Sequence, residues 1–345
     1  MNTSNENGMN RASKAGIITW ALLTDRKNVI LLIAFGLAVD GLSWIRYFAS
    51  LPGKFDALSP VLFGIQKCIY SVFIVLLCVL RNDYYDQLTQ FERKTKLQPT
   101  HTTDRYLTKN RFIFKVYWFL YIGNFVVMGS YLFIKRLQES RVNVNVILFF
   151  GSTAIGFFGS LAFFRFFIEA CLYIHTCFMR VEHSINTLNN STSALSIGDI
   201  RKVRRLYCFA VETTEKLNSL FMLITAIYFV FSTIKSHFSL VRVIHNPSPI
   251  IISICMVEFS YYFLVTYHMI YINHLATRIY QSVYSLTYKT DSLFANKEVH
   301  LFLLRIERAD VGFTFLDLFV ITPTCVTSLA TISLTIALAT PALLK

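Results

Sequence analysis

Residues 313–340 read FTFLDLFVITPTCVTSLATISLTIALAT, and the fold turns on how this stretch is understood. About 20 mostly apolar residues, rising ~1.5 Å each, cover the ~30 Å hydrocarbon core of a bilayer, so the segment is long enough to cross one. Yet eight Ser or Thr residues lie between Leu318 and Thr340. Thr324, Ser328, Thr331 and Thr335 fall at i, i+4, i+7 and i+11, which puts them on one face of a helix. Two readings fit. Small hydroxyl residues let membrane helices pack closely and satisfy their own i−4 carbonyls; alternatively, the stripe lines a pore or a wet cavity.

The rest of the chain repeats the apolar theme. Of 345 residues, 54% are hydrophobic and only 15% are charged, with a mean hydropathy of +0.50. Seven spans can be marked, roughly Val29–Phe48, Pro60–Leu80, Phe112–Ile134, Val144–Ile168, Leu217–Ile234, Ile250–Ile272 and Leu318–Thr340. The expected fold is therefore all-α: one polytopic membrane domain over 1–345, with a tail (1–28), six helices and their loops (29–296), and a short helix leading into a pore-type last helix (297–345).

Loop length and charge alternate together. The tail and the three long loops (81–111, 169–216, 273–317) hold 22 of the 33 Lys and Arg residues, whereas the short loops and the C-terminus hold 7. Basic residues stay on the cytosolic side, so the N-terminus is expected inside and the C-terminus outside, in the cell membrane. The net charge of +13 is spread between spans rather than over one soluble face, which argues against nucleic acid as a partner. The seven cysteines have no zinc-like spacing and no obvious loop pair, so neither a disulfide nor a metal is expected. Met1–Gly16 lacks the pattern of a cleaved leader.

Asp104-Arg105-Tyr106 spells a motif of G-protein-coupled receptors. Here it precedes the third span instead of ending it, the orientation is opposite, and a solvated loop is expected. Around Asn189 and Asn190 the chain is helix-compatible on both sides, so spans four, five and six are expected to continue as helices into the cytosol. Val299, Phe302, Leu303 and Ile306 repeat at i, i+3, i+4 and i+7, marking a short amphipathic helix that lies on the membrane surface or packs on other helices.

Seven spans with the N-terminus inside, cytosolic helical extensions and Gly312-Phe313-Thr314-Phe315-Leu316-Asp317 at the entry to the last span resemble the insect gustatory and odorant receptor superfamily, whose Gly-Phe-Phe-x-Leu-Asp stands there. The family's Thr-Tyr and Gln-Phe signature is replaced by Ala330-Thr331 and Ala337-Leu338, as in a divergent gustatory-receptor-like protein. The resemblance implies a homo- or heterotetramer of related subunits forming a ligand-gated cation channel. The last helices would line the pore, with Ile332 and Ile336 as an apolar constriction, and a small-molecule ligand would sit in the outer half of each bundle.

Ionisable groups at membrane depth are costly and are functional candidates by default. Asp40, Lys67 and Glu258 all fall ~10–12 Å below the outer surface by helical rise. An Asp40–Lys67 bridge between neighbouring helices is one reading; Lys67 or Glu258 beside a ligand pocket is the other. Asn124, Met128 and Tyr131 on span three, Thr225 and Tyr228 on span five, and Tyr262 beyond Glu258 stand at similar depth and complete the candidate pocket, with aromatic packing as their plainer role. Arg165 and Glu169, at i and i+4, read as a structural pair. No phosphate loop, nucleophile elbow or metal cluster is present in the sequence, so enzyme chemistry and cofactors are not expected. A receptor signalling through partner proteins, a non-conducting subunit and a secondary transporter remain as alternatives, although internal repeats and paired broken helices are missing.

Overall fold

A computed structural model describes residues 16–49, 54–95, 100–138, 144–191, 195–245, 247–290 and 292–343. In chain order the helices are α1 (Ile17–Leu23), α2 (Lys27–Ala49), α3 (Lys54–Val79), α4 (Arg81–Thr95), α5 (His101–Gln138), α6 (Val144–Asn190), α7 (Ile197–His245) and α8 (Pro249–Tyr284). A 3-10 turn over Ser285–Lys289 leads to α9 (Leu293–Glu307). A hairpin of β1 (Thr314–Phe315) and β2 (Phe319–Val320) follows, and α10 (Pro323–Leu343) ends the fold. The chain is an all-α, multi-pass membrane protein.

Five helical stretches among the described residues are long and apolar enough to cross a membrane: Lys27–Ala49, Pro60–Val79, His101–Tyr131, Val146–Asn190 and Ile197–Ile244. Pro323–Ile336 is a shorter apolar helix. Helices α6 and α7 run 47 and 49 residues, or about 70 Å each, more than twice the hydrocarbon thickness. The expected helical extensions are thus continuous with the spans.

The bundle has two packing regimes. Towards the short loops, α2 lies against α3 and α6 through glycines. A Cβ on Gly41 would stand 2.6 Å from the Gly64 carbonyl, and one on Gly64 would stand 2.6 Å from the Gly41 carbonyl. Without side chains at these points the two backbones approach closely, as small residues allow between membrane helices. Towards the long loops a conventional core takes over. Phe178, Tyr207 and Phe302 are fully buried, with Tyr207 facing Phe178 at 5.9 Å and Phe302 at 5.4 Å.

The amphipathic helix expected around Val299 is α9, and its stripe Val299, Phe302, Leu303 and Ile306 is buried in this core. Packing on other helices is therefore the observed role. Arg201 and Arg204 of α7 meet Glu298 of α9, each at 2.8 Å.

Other expectations change. The stretch after the second span is mostly helical, comprising α4 and the first three turns of α5. Asp104-Arg105-Tyr106 lies inside α5 rather than in a loop, and the Tyr106 hydroxyl meets His175 Nδ1 at 2.9 Å. The short loop expected from Lys235 is helix through His245. Within the expected tail, α1 buries Ile18, Ala21 and Leu22 in the bundle. Glu169 takes Arg111 of α5 as its partner, with Arg111 Nη2 donating at 2.7 Å and Nε at 2.9 Å. Arg165 acts on the same carboxylate, so the expected i, i+4 neighbour stands beside this two-pronged cross-helix pair, whose planar fork matches a carboxylate.

Candidate functional site

Lys67 is 4% exposed and forms a salt bridge with Asp40, which is fully buried. The pair ties α3 to α2, the bridge that was one of the two readings of these residues. The Lys67 ammonium sits 4.2 Å from the centre of the Phe63 ring and 5.1 Å from that of Trp44. A cation over an aromatic face gains electrostatically where water is scarce.

Phe63 has a second cation. Lys235 of α7 stands 4.1 Å from the same ring centre and pairs with Glu258 of α8 at 3.1 Å. The other oxygen of Glu258 accepts from the Ser239 hydroxyl at 2.7 Å. Four helices are therefore joined across one ring in the order Asp40, Lys67, Phe63, Lys235, Glu258. A narrow crevice between α3 and α7 opens beside it, lined by Leu62, Phe63, Gln66, Phe231, Ile234 and Lys235. Gln66 donates to the Tyr70 hydroxyl at 2.6 Å. The lining is apolar and aromatic with few polar groups, as in small-molecule sites, but the ≈ 190 Å³ of empty space is less than the about 300 Å³ where such sites begin.

The candidate residues thus fall into groups. Lys67 and Glu258 gather around Phe63. Tyr228 and Tyr262 form a separate pair, with rings 5.9 Å apart and nearly parallel and the Tyr228 hydroxyl donating to the Tyr262 carbonyl at 3.1 Å. Thr225, fully buried, lies one turn before Tyr228. Asn124 is half-buried on α5 and Tyr131 is 45% exposed; the Met128 side chain lies outside the described residues. Spacing alone does not single out Lys235, which stands just past the expected span end at Ile234, or Phe63 and Gln66, which lie inside an expected span. The signal present is a shared helix face: Tyr228, Phe231 and Lys235 are spaced i, i+3, i+7, and Phe63 and Lys67 are spaced i, i+4.

The second region is the last helix and its entry. Phe313 is fully buried, with rings 5.5 Å from Phe167 and 6.2 Å from Phe221. Beyond it the chain turns through Leu316 and Asp317 with φ of 50° and 56°. Phe315 accepts from the Leu318 N–H at 2.9 Å, giving a tight hairpin turn of the type that needs positive φ at both central residues. Asp tolerates that conformation; Leu adopts it only under constraint.

Helix α10 then packs on α7 along one side, where Val326 is buried and Leu329 partly so. Thr324, Ser328, Thr331 and Thr335 point roughly the opposite way and are exposed, as are Ile332, Leu334 and Ile336. Thr331 and Thr335 donate to the carbonyls of Thr327 and Thr331, each at 2.9 Å. Those hydroxyls are satisfied within the helix, so their oxygens still have an acceptor side for water, an ion or a neighbouring helix.

Among solved structures, the chain superposes on the insect olfactory receptor OR5 from Machilis hrabei in complex with eugenol. The TM-score is 0.63 at 15% identity, covering 92% of this chain and 89% of that one. A second structure of insect olfactory receptor OR5 from Machilis hrabei gives a TM-score of 0.56 at 16% identity, covering 90% and 87%. The fold is that of an insect olfactory receptor. No family model and no curated protein matches the chain. What is shared at this identity is the path of the backbone, over nine-tenths of its length.

Proposed function

We propose that the chain is a subunit of a chemoreceptor-type, ligand-gated cation channel, of the gustatory kind within the insect chemoreceptor superfamily. In this reading α2, α3, α5, α6, α7, α8 and α10 are the seven spans, with the N-terminus cytoplasmic. A small molecule binds in the outer half of the bundle, and copies of α10 from this and related subunits surround the pore.

One observation carries the reading. On a receptor fold, the last helix rests on its own bundle by one side alone and leaves the Thr324–Thr335 stripe exposed. Rings of hydroxyls replace part of an ion's hydration without a fixed charge, which suits weakly selective cation passage. Ile332 and Ile336 on the same helix supply an apolar constriction. The favoured ligand site is the crevice beside Phe63, which must widen beyond its ≈ 190 Å³ to admit a molecule. Its occupant is a mostly apolar molecule with one hydrogen-bonding group directed at Gln66 or Lys235. Glu258 retains Ser239 when Lys235 turns toward such a group.

Orientation has a direct test. Asn2, Asn189 and Asn190 each begin an Asn-x-Ser/Thr acceptor; Asn2 lies outside the described residues. An inside N-terminus keeps all three in the cytosol, and the Asn189 amide is already engaged, donating to the Ser282 carbonyl at 2.8 Å. The protein expressed in insect cells is expected to show no mobility shift on glycosidase treatment. A shift that disappears in Asn189→Gln with Asn190→Gln would reverse the topology.

A further inference from the structure

We propose that Asn218 is a positioning residue that couples α7 to the last helix, holding the hairpin from which α10 departs. In naming what is coupled, this rests on the channel reading above.

Asn218 is 7% exposed and commits both ends of its amide to the hairpin. Its Oδ1 accepts from the Thr314 backbone N–H at 2.8 Å. Its Nδ2 donates to Thr314 Oγ1 at 2.9 Å and makes a longer contact of 3.4 Å with Asp317 Oδ1. The Thr314 N–H can only donate, which fixes which end of the amide is oxygen. Thr314 Oγ1 donates in turn to Asp317 Oδ1 at 2.8 Å. One α7 side chain therefore closes a small network with the first strand residue and with the turn.

The hairpin needs such a hold. Each strand has two residues, and a hairpin that short is not stable alone. The turn keeps Leu316 left-handed, so the surroundings must impose the conformation. Beyond the packing of Phe313, Phe315 and Ile321 on the core, two asparagines hold it by hydrogen bonds. Asn273 of α8 donates to the carbonyls of Ala309 and Val311 at 3.0 and 2.9 Å, fixing the segment where it leaves α9. Asn218 fixes it where it approaches α10.

Position makes Asn218 the coupling member. Lys235, on the wall of the crevice, lies on the same uninterrupted helix, 17 residues on, or about 25 Å along the axis. Because α7 is uninterrupted between the two, a displacement of it at the crevice reaches the Asn218 amide, and through it the base of α10.

The experiment uses the full chain in membranes with Cys325→Ser and Ser328→Cys as reporter. Two quantities are read: backbone hydrogen exchange over 312–321, and the rate at which a water-soluble methanethiosulfonate modifies residue 328. Asn218→Ala is expected to speed exchange over 312–321 about tenfold, as loss of a buried hydrogen-bonding group implies. It is expected to change the modification rate by a similar factor, while exchange in α9 holds. Asn218→Asp, which sets a carboxylate against Asp317, is expected to act more strongly and to be relieved by adding Asp317→Asn, which re-forms the pair with its ends exchanged. Thr314→Val, which removes only the hydroxyl, gives the same direction in a milder form should the Asn218 variants fail to fold. Unchanged exchange and modification in the folded variants, or no relief by Asp317→Asn, would overturn the coupling role. Ion flux through the same membranes separates the two readings: altered exchange without flux in any form, the parent included, keeps the clamp and removes the channel.

Discussion

Lys67→Met is expected to cost most of the folded yield. The substitution leaves Asp40, fully buried between α2 and α3, without the ammonium that neutralises it. Removing one partner of a buried ion pair costs about 3–5 kcal/mol, against the about 5–15 kcal/mol that holds a typical fold. Asp40→Asn is expected to be milder, since the lysine keeps two aromatic faces and lies nearer the crevice. The double variant, with no charge left to bury, should recover part of the loss, because apolar replacements of buried pairs are often close to neutral. Detergent-extracted yield of monodisperse protein is the readout. Normal yield from Lys67→Met alone would show that the pair is not structural and would return Lys67 to the ligand.

Gly156→Ala is expected to be the next most damaging change, although it adds a single methyl group. A Cβ at Gly156 of α6 would run into the side chain of Asp40. That carboxylate has no room to retreat, because Lys67 binds it from the other side. Overpacking a filled interior costs about 1–3 kcal/mol, and here any relief also stretches the ion pair. Gly151→Ala is the internal control: it lies on the same helix, and a Cβ there meets nothing within 4 Å. Exchanging an exposed helical glycine for alanine gains up to about 1 kcal/mol. Thermal midpoints of the purified variants should move in opposite directions. Equal midpoints would mean that α2 and α6 do not approach as closely as the structure has them.

Both effects depend on features that the sequence displays in part. Asp40 and Lys67 were visible as a pair because charged residues at membrane depth are rare and each needs a partner. Gly156 carried no such mark, since which glycine meets which carboxylate depends on how three helices cross. Periodicity marked α9 correctly, for its apolar stripe is also its buried stripe. It failed at Lys235 and at Asp104-Arg105-Tyr106, where a polar residue was taken for the end of a helix that in fact continues. Glu169 shows the limit of local spacing. Spacing marks Arg165, four residues away, but not Arg111, 58 residues away, which supplies two donors. The hairpin before α10 was legible only as an entry motif, because positive φ at Leu316 contradicts that residue's own preference. The stripe on α10 was legible as a stripe, and its exposure came with the packing of Val326 and Leu329 on the bundle.

The central claim is that the exposed side of α10 faces an ion path, and thiol modification along this helix tests it most directly. In a Cys325→Ser background, single cysteines at Thr324, Ser328, Thr331, Thr335, Leu329 and Leu334 would be challenged from outside with a water-soluble methanethiosulfonate while membrane current is recorded. The four stripe positions are expected to react and to alter the current, with reaction at Thr331 and Thr335 reached from the outer side. Leu329, against the bundle, and Leu334, a quarter turn from the stripe, are expected to stay silent. Uniform protection of the stripe in an assembly that passes ions, or equal reaction at Leu334, would contradict the pore and return the hydroxyl stripe to helix packing.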